Sequence, residues 1–206
     1  MSEQPPDDKP TSDCYSASER EAMVWTQRLR GRWLEPLLRF LNRQGVTPNH
    51  LTIASLMVGL AFCPLWYWSP VAALVVLATH VLLDGLDGPL ARYSGVASRR
   101  GSLTDTMADQ TVVVATTITL MEAGEMATVP AATYIALYTL VVVFAMIRNA
   151  LSIPYSWVVR PRLIVYCCLP VQIWLAPGSI DVVLWVFNVV LALKTATGFV
   201  RIRNKM

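Results

Sequence analysis

"DGLDGPLARYSGVASRRGSLTDTMAD" runs from Asp84 to Asp109 between two strongly apolar stretches. It holds four aspartates and three arginines, in a chain of 206 residues that is 54% hydrophobic and 15% charged. Read as two helices joined by a short loop, the stretch leaves one helix near Arg92 and enters the next near Gly101. At 1.5 Å per residue, Asp87 lies roughly 8 Å and Asp84 roughly 13 Å below the end of the first. Asp105 then lies roughly 6 Å and Asp109 roughly 12 Å into the second. Antiparallel neighbours bring Asp84 level with Asp109 and Asp87 level with Asp105. Helical rotation puts Asp84, Asp87, Gly88 and Ala91 on one arc, and Gly101, Asp105 and Asp109 on one arc of the other helix. All four carboxylates can therefore converge. A solvated loop with scattered acids explains neither the matched depths nor the matched faces.

The surroundings are those of a membrane protein. A mean hydropathy of +0.46 is too apolar for an ordinary soluble domain. Six apolar runs, at about 49–69, 70–93, 101–123, 129–151, 163–177 and 180–200, have lengths that suit bilayer crossing, which takes about 20 residues. The fifth is the shortest and contains Pro170. Lys and Arg cluster at 28–43, 92–100, 148–162 and 201–205, and are missing around Ser69-Pro70, from Glu122 to Val129 and from Ala176 to Asp181. The positive-inside rule then places both termini and the aspartates on the cytosolic side. The net charge of +3 reads as a basic cytosolic face against anionic lipid, with no nucleic acid required. Cys14, Cys63, Cys167 and Cys168 have neither metal nor disulfide spacing, and the last three read as small buried hydrophobes. Trp66, Trp68, Trp157 and Trp174 read as interfacial anchors.

Residues 1–18 are polar and read as a disordered tail with no cleavable signal peptide. Residues 19–44 follow as an amphipathic juxtamembrane helix. Leu29, Trp33, Leu37 and Leu41 recur every four residues, Leu34 and Leu38 widen that face, and Arg28, Arg32, Arg39 and Arg43 stripe another. Pro36 is expected to kink or split this helix. "GVTPNHLT" (45–52) then turns the chain into the membrane, with Thr47, Asn49 and Thr52 at the mouth of the first span. The predicted fold is an all-α integral membrane protein of six transmembrane helices behind an amphipathic interfacial helix, with the six-span domain at 45–206.

An aspartate near mid-membrane costs about 2.5–3.5 kcal/mol, and four converging anions repel one another. A positive charge is expected between them. Ligation by oxygen alone points to Mg2+, Mn2+ or Ca2+ rather than zinc, since the stretch offers no His or Cys. Four carboxylates can hold two such ions. Arg92, Arg99 and Arg100 stand at the rim, where a polyphosphate is bound best. His80, one turn before Asp84 on the same face, either lines the cavity or packs as a hydrogen-bonded core histidine.

These residues spell D-x2-D-G-x2-A-R-x8-G-x3-D-x3-D, as Asp84, Asp87, Gly88, Ala91, Arg92, Gly101, Asp105 and Asp109. The pattern resembles that of the CDP-alcohol phosphotransferase family of integral membrane enzymes, and the six-span layout and the "TPNHLT" entry extend the likeness over most of 20–200. The resemblance implies transfer of a phosphatidyl group from a CDP-linked lipid such as CDP-diacylglycerol to an acceptor alcohol, with release of CMP. It also implies a homodimer in a bacterial-type inner membrane. By position, Asp84, Asp87, Asp105 and Asp109 resemble the ligands of a two-ion Mg2+ or Mn2+ site, and Asp109 the general base. Asp84, Gly88, Arg92, Gly101 and Ser102, with Asn49 and Thr52, match positions that hold the CDP group. The chain departs from the pattern at Gln110, where many members carry Arg or Lys, and "QTVVV" stands where phosphatidylserine synthases commonly have Ser-Phe-Gly.

Arg148, Arg160 and Arg162 gather at the cytosolic end of the fourth span and in the loop after it. They favour a phosphorylated polyol acceptor, such as glycerol 3-phosphate or an inositol phosphate, because guanidinium binds phosphate bidentately. A neutral acceptor (inositol, serine or choline) remains the alternative. A divalent-cation transporter would also use membrane carboxylates but has no need of the Gly, Ala and Arg positions. An aspartate-rich prenyltransferase would pair aspartates as D-x3-D, which Asp105 and Asp109 match and Asp84 and Asp87 do not.

Overall fold

The structure, a computed structural model, describes residues 34–151 and 160–205, apart from the side chains of Arg99 and Asn149. Every regular element among the described residues is a helix. A short α1 covers 34–43. It is followed by α2 (Pro48–Trp66), α3 (Pro70–Tyr93), α4 (Arg99–Glu122), α5 (Thr128–Ala150), α6 (Pro161–Trp174) and α7 (Ser179–Arg203). Each of the six apolar runs in the sequence is thus a helix. Four of them, α2, α3, α5 and α7, are long and apolar enough to cross a bilayer. The other two fall short for different reasons. α4 has 24 residues but carries Arg100, Asp105 and Asp109 along with many threonines. α6 has only 14 residues, about 21 Å of helix.

Local chemistry sets the helix starts. Thr47 caps α2: its hydroxyl accepts from His50 N at 3.3 Å, and His50 Nδ1 accepts from Thr47 N at 3.4 Å, with Pro48 in the first turn. This is the reciprocal capping box with histidine in the place of the usual acid or amide. Ser69 and Ser98 cap α3 and α4 in the same manner, accepting from Ala72 N and Gly101 N. Gly95, at φ +69°, supplies the left-handed residue that ends α3 and lets the chain reverse into α4. In α4, Thr104, Thr106, Thr111, Thr116, Thr117 and Thr119 donate to carbonyls one turn back. Their hydroxyls are thereby satisfied within the helix, which an apolar solvent demands.

The helices pack mainly as α2 on α3, α2 on α4 and α5 on α7, with α6 against α7. A single core built on Phe62, Leu77, Val112, Leu120, Tyr134, Val165, Leu169, Leu184 and Leu191 draws on all six long helices. Below it, Leu38 of α1 packs with Leu51 and Leu90, flanked by Leu34 and Leu41. Leu37, expected on the same face, is 40% exposed. At the end away from the aspartates, Gln172 clasps two turns together: its Nε2 donates to Glu125 O, and its Oε1 accepts from Gly178 N and Ile180 N.

Several expectations need correction or fall outside the description. Trp66 is buried and packs on Phe62 at a centroid distance of 5.3 Å, so it belongs to the core. Trp68 and Trp174 do lie exposed. Cys167 is exposed, off the α6 face that buries Val165, Leu169 and Gln172, while Cys63 and Cys168 are half-buried. Pro64, Pro89 and Pro170 all lie inside helices that continue through them. Pro36 lies in the first described turn of α1. The tail 1–18 with Cys14, the upstream part of the amphipathic stretch (19–33) and Trp157 lie outside the described residues.

Candidate functional site

The four aspartates come from the last turns of α3 and the first turns of α4, where helix periodicity turns them toward each other. Asp109 lies beside Asp84, and Asp105 beside Asp87. This is the level-by-level pairing that rise per residue predicts. Oxygen atoms of Asp84, Asp105 and Asp109 lie within 4.8 Å of one another. Asp87 is not one of that trio, and its Oδ2 accepts a 2.9 Å hydrogen bond from Thr52 Oγ1 on α2. Asp84, Asp87 and Thr52 are all buried.

Two arginines from the start of α6 reach this cluster. Arg162, 4% exposed, donates from Nη2 to Asp84 Oδ2 at 2.6 Å and from Nη1 to Asp109 Oδ2. Arg160 is solvent-accessible and brings Nη1 to 3.8 Å from the same Asp84 oxygen. Arg148 is buried in the last turn of α5. Around the rim, the Arg92 guanidinium lies over Gly88, 3.5 Å from where a Cβ would stand. A side chain at 88 would crowd that arginine or any ligand it holds. Gly101, Ser102 and Asn49 are exposed at the helix starts.

Sequence reasoning left His80 undecided and missed its partner. His80 is 1% exposed, and its Nδ1 sits 3.0 Å from Ser55 O and 2.8 Å from Ser55 Oγ. A carbonyl only accepts, so Nδ1 carries the proton, while the Ser55 hydroxyl donates to His80 O at 3.1 Å. Nε2 then faces Asp109 Oδ1 at 4.0 Å, and that oxygen is buried with no hydrogen-bond partner. The histidine is thus both packed and at the site. Ser55 follows Thr52 by one turn on the same face of α2, a polar position inside an apolar helix, and that was the signal available.

The space for this arrangement is provided by Gly59. A Cβ there would stand 2.6 and 2.9 Å from the methyls of Val112, itself 0% exposed, and 3.0 Å from His80 Nδ1. Gly59→Ala is expected to cost about 1–3 kcal/mol through overpacking. Thermal unfolding in detergent will show a lowered Tm; an unchanged Tm would contradict the close approach of α2, α3 and α4.

The donor set also fits a hard divalent cation. Every candidate ligand is a carboxylate oxygen, and the buried, unpartnered Oδ1 of Asp109 requires a positive or hydrogen-bonding neighbour. A CDP-alcohol phosphatidyltransferase family model matches residues 45–200, three quarters of the chain and the whole of this site. The chain belongs to the CDP-alcohol phosphatidyltransferase family. Among relatives of this CDP-alcohol phosphatidyltransferase-family chain, the archaetidylinositol phosphate synthase of Aeropyrum pernix is 36% identical over 117 residues, 56% of this chain and 54% of that protein. The archaetidylinositol phosphate synthase of Pyrococcus horikoshii is 34% identical over 87 residues, 40% and 46% of the two chains. The inner membrane protein YnjF of Escherichia coli is 40% identical over 78 residues, 34% and 36%. The chain spans about half or less of the length of these relatives. Its fold is that of the phosphatidylinositol phosphate synthase PgsA1 of Mycobacterium tuberculosis with CDP-DAG bound, at a TM-score of 0.71 and 21% identity, covering 83% of this chain and 94% of that one. The same enzyme in complex with manganese and citrate gives a TM-score of 0.68 at 22% identity, covering 81% and 87%.

Proposed function

We propose that this chain is a six-span inner-membrane enzyme of phospholipid synthesis, entered through an amphipathic interfacial helix, with both termini and the aspartates at the cytosolic face. It transfers a phosphatidyl group from a CDP-diacylglycerol-type lipid to the hydroxyl of an acceptor alcohol and releases CMP. The observation that carries this reading is the convergence of Asp84, Asp105 and Asp109 oxygens within 4.8 Å beside two arginines, at one end of an apolar bundle. The shared family and the PgsA1 fold support it.

Asp84, Asp105 and Asp109 would hold Mg2+ or Mn2+, with Asp87 as a fourth ligand once it turns from Thr52. Bound there, such ions supply charge neutralisation of the diphosphate and of the leaving CMP. Gly88, Arg92, Gly101 and Ser102, with Asn49 and Thr52, line the side on which the CDP group lies: Arg92 pairs with phosphate oxygens, and Gly88 allows close approach. Asp109 takes the proton from the acceptor hydroxyl. The hydroxyl oxygen then bonds to the phosphatidyl phosphorus as the bond from that phosphorus to CMP breaks. The lipid tails remain in the bilayer while a soluble acceptor enters from the cytosol.

The acceptor is a phosphorylated polyol. The basis is the arginine group at the α5 and α6 ends, of which Arg160 and Arg162 stand at the aspartates. The archaetidylinositol phosphate synthases among the relatives favour the same class. A relative from Mycobacterium leprae named CDP-diacylglycerol–serine O-phosphatidyltransferase keeps a neutral acceptor as the second reading. Steady-state kinetics separate the two: Arg148→Gln and Arg162→Gln should each raise the KM for the phosphorylated acceptor sharply and leave the KM for the CDP-lipid nearly unchanged. Wild-type kinetics in both variants, or preference for an uncharged alcohol, would contradict the assignment.

A further inference from the structure

Acidic side chains gathered inside a bundle need a compensating charge, and the chain supplies one of its own. The guanidinium of Arg162 grips one oxygen of Asp84 and one of Asp109 from the same edge. Those two carboxylates also belong to the trio whose oxygens come within 4.8 Å of one another. A guanidinium and a divalent ion are therefore alternative cations for the same two carboxylates. An ion drawn to those carboxylates takes over the charge compensation that the guanidinium supplies, and two cations at one pair of carboxylates repel each other in a water-poor interior. Arg162 is also the second residue of α6, whose first turn has no side-chain cap. A guanidinium that swings off the aspartates stays at a helix N-terminus, whose dipole favours an anion.

We propose that Arg162 is the resident counter-cation of the aspartate cluster, exchanged against the divalent ion: it pairs Asp84 with Asp109 in one state and turns to the anionic group of the acceptor in the other. This rests on the reading of the aspartates as metal ligands and adds to it a linkage. Metal releases the arginine that the acceptor anion needs, so each raises the affinity for the other.

The test uses the full chain in detergent, with Mn2+ as the metal probe and glycerol 3-phosphate as the anion probe. Thermal unfolding is followed in chelator and in Mn2+ for the wild type, Arg162→Gln and Arg162→Lys. In chelator, Arg162→Gln should melt well below wild type, since its aspartates have lost their cation. Mn2+ should close most of that gap, so that its stabilising shift is larger in the variant than in wild type. The Mn2+ Kd should fall in the variant by about five- to a hundredfold, the usual size of such couplings. Arg162→Lys keeps the charge, so the protein folds, but a single ammonium cannot match the two-pronged grip, and its Mn2+ shift should also exceed wild type. In wild type, glycerol 3-phosphate should bind measurably tighter with Mn2+ than with chelator, and this gain should be missing in Arg162→Gln. Equal Mn2+ shifts and equal Kd values in all three proteins would overturn the exchange while leaving metal ligation by the aspartates intact. No Mn2+ shift in any of them would overturn both.

Discussion

Asp105→Asn and Asp84→Asn will each reduce CMP release from CDP-diacylglycerol to the level of heat-inactivated protein, and a chelator will do the same to the wild type. Each substitution keeps the shape and removes one negative oxygen donor from a trio that lies within 4.8 Å. Hard divalent ions draw much of their affinity from anionic ligands, and an amide oxygen is a weak substitute. Asp84 has a second effect: it is one of the two carboxylates held by Arg162, so its loss leaves a buried guanidinium half-paired. Asp105 is not an ion-pair partner of that arginine, which makes Asp105→Asn the cleaner variant. Membrane insertion and a sharp gel-filtration peak in detergent are expected to survive it. Full activity in Asp105→Asn would remove the carboxylate site from the account.

Asp109→Asn will lower turnover by about 10²-fold or more, the usual contribution of a positioned base. Affinity for the CDP-lipid should fall much less. The distinction rests on the surroundings of Asp109. One oxygen is engaged by Arg162, and the other is buried opposite His80 Nε2 with no hydrogen-bond donor to stabilise it. That unpartnered oxygen is free to receive a proton from a hydroxyl placed against it. Single-turnover rates with CDP-lipid saturating, set beside its Kd, separate the two effects. Equal losses in both would make Asp109 a ligand and nothing more.

Much of the site was legible in sequence because helix geometry is local. Rise and rotation alone place Asp84 beside Asp109 and Asp87 beside Asp105, since the two pairs flank one short connection between α3 and α4. The six helices were equally visible, as apolar runs bounded by Ser69-Pro70, Gly95 and similar breaks. What escaped were contacts between residues far apart in the chain. Thr52 hydrogen-bonds Asp87 across 35 positions, and Ser55 hydrogen-bonds His80 across 25. Neither follows from any period. Of the three arginines at one end of the bundle, sequence context favours Arg148, whereas it is Arg162, at the start of α6, that pairs with Asp84 and Asp109. The threonines of α4 look polar in sequence but spend their hydroxyls on their own backbone. Trp66 was taken for an anchor because it sits at a helix end, while packing against Phe62 makes it core.

The central claim is the transfer reaction itself. Purified protein in detergent or proteoliposomes, given CDP-diacylglycerol, Mn2+ and in turn glycerol 3-phosphate, inositol phosphate, inositol, serine and choline, should release CMP and form one new phospholipid in equal amounts. The account predicts release with a phosphorylated polyol and none with the chelator or with Asp105→Asn. CMP release with a neutral alcohol alone would move the acceptor assignment. No CMP with any alcohol, together with Mn2+ flux across proteoliposomes, would contradict the account.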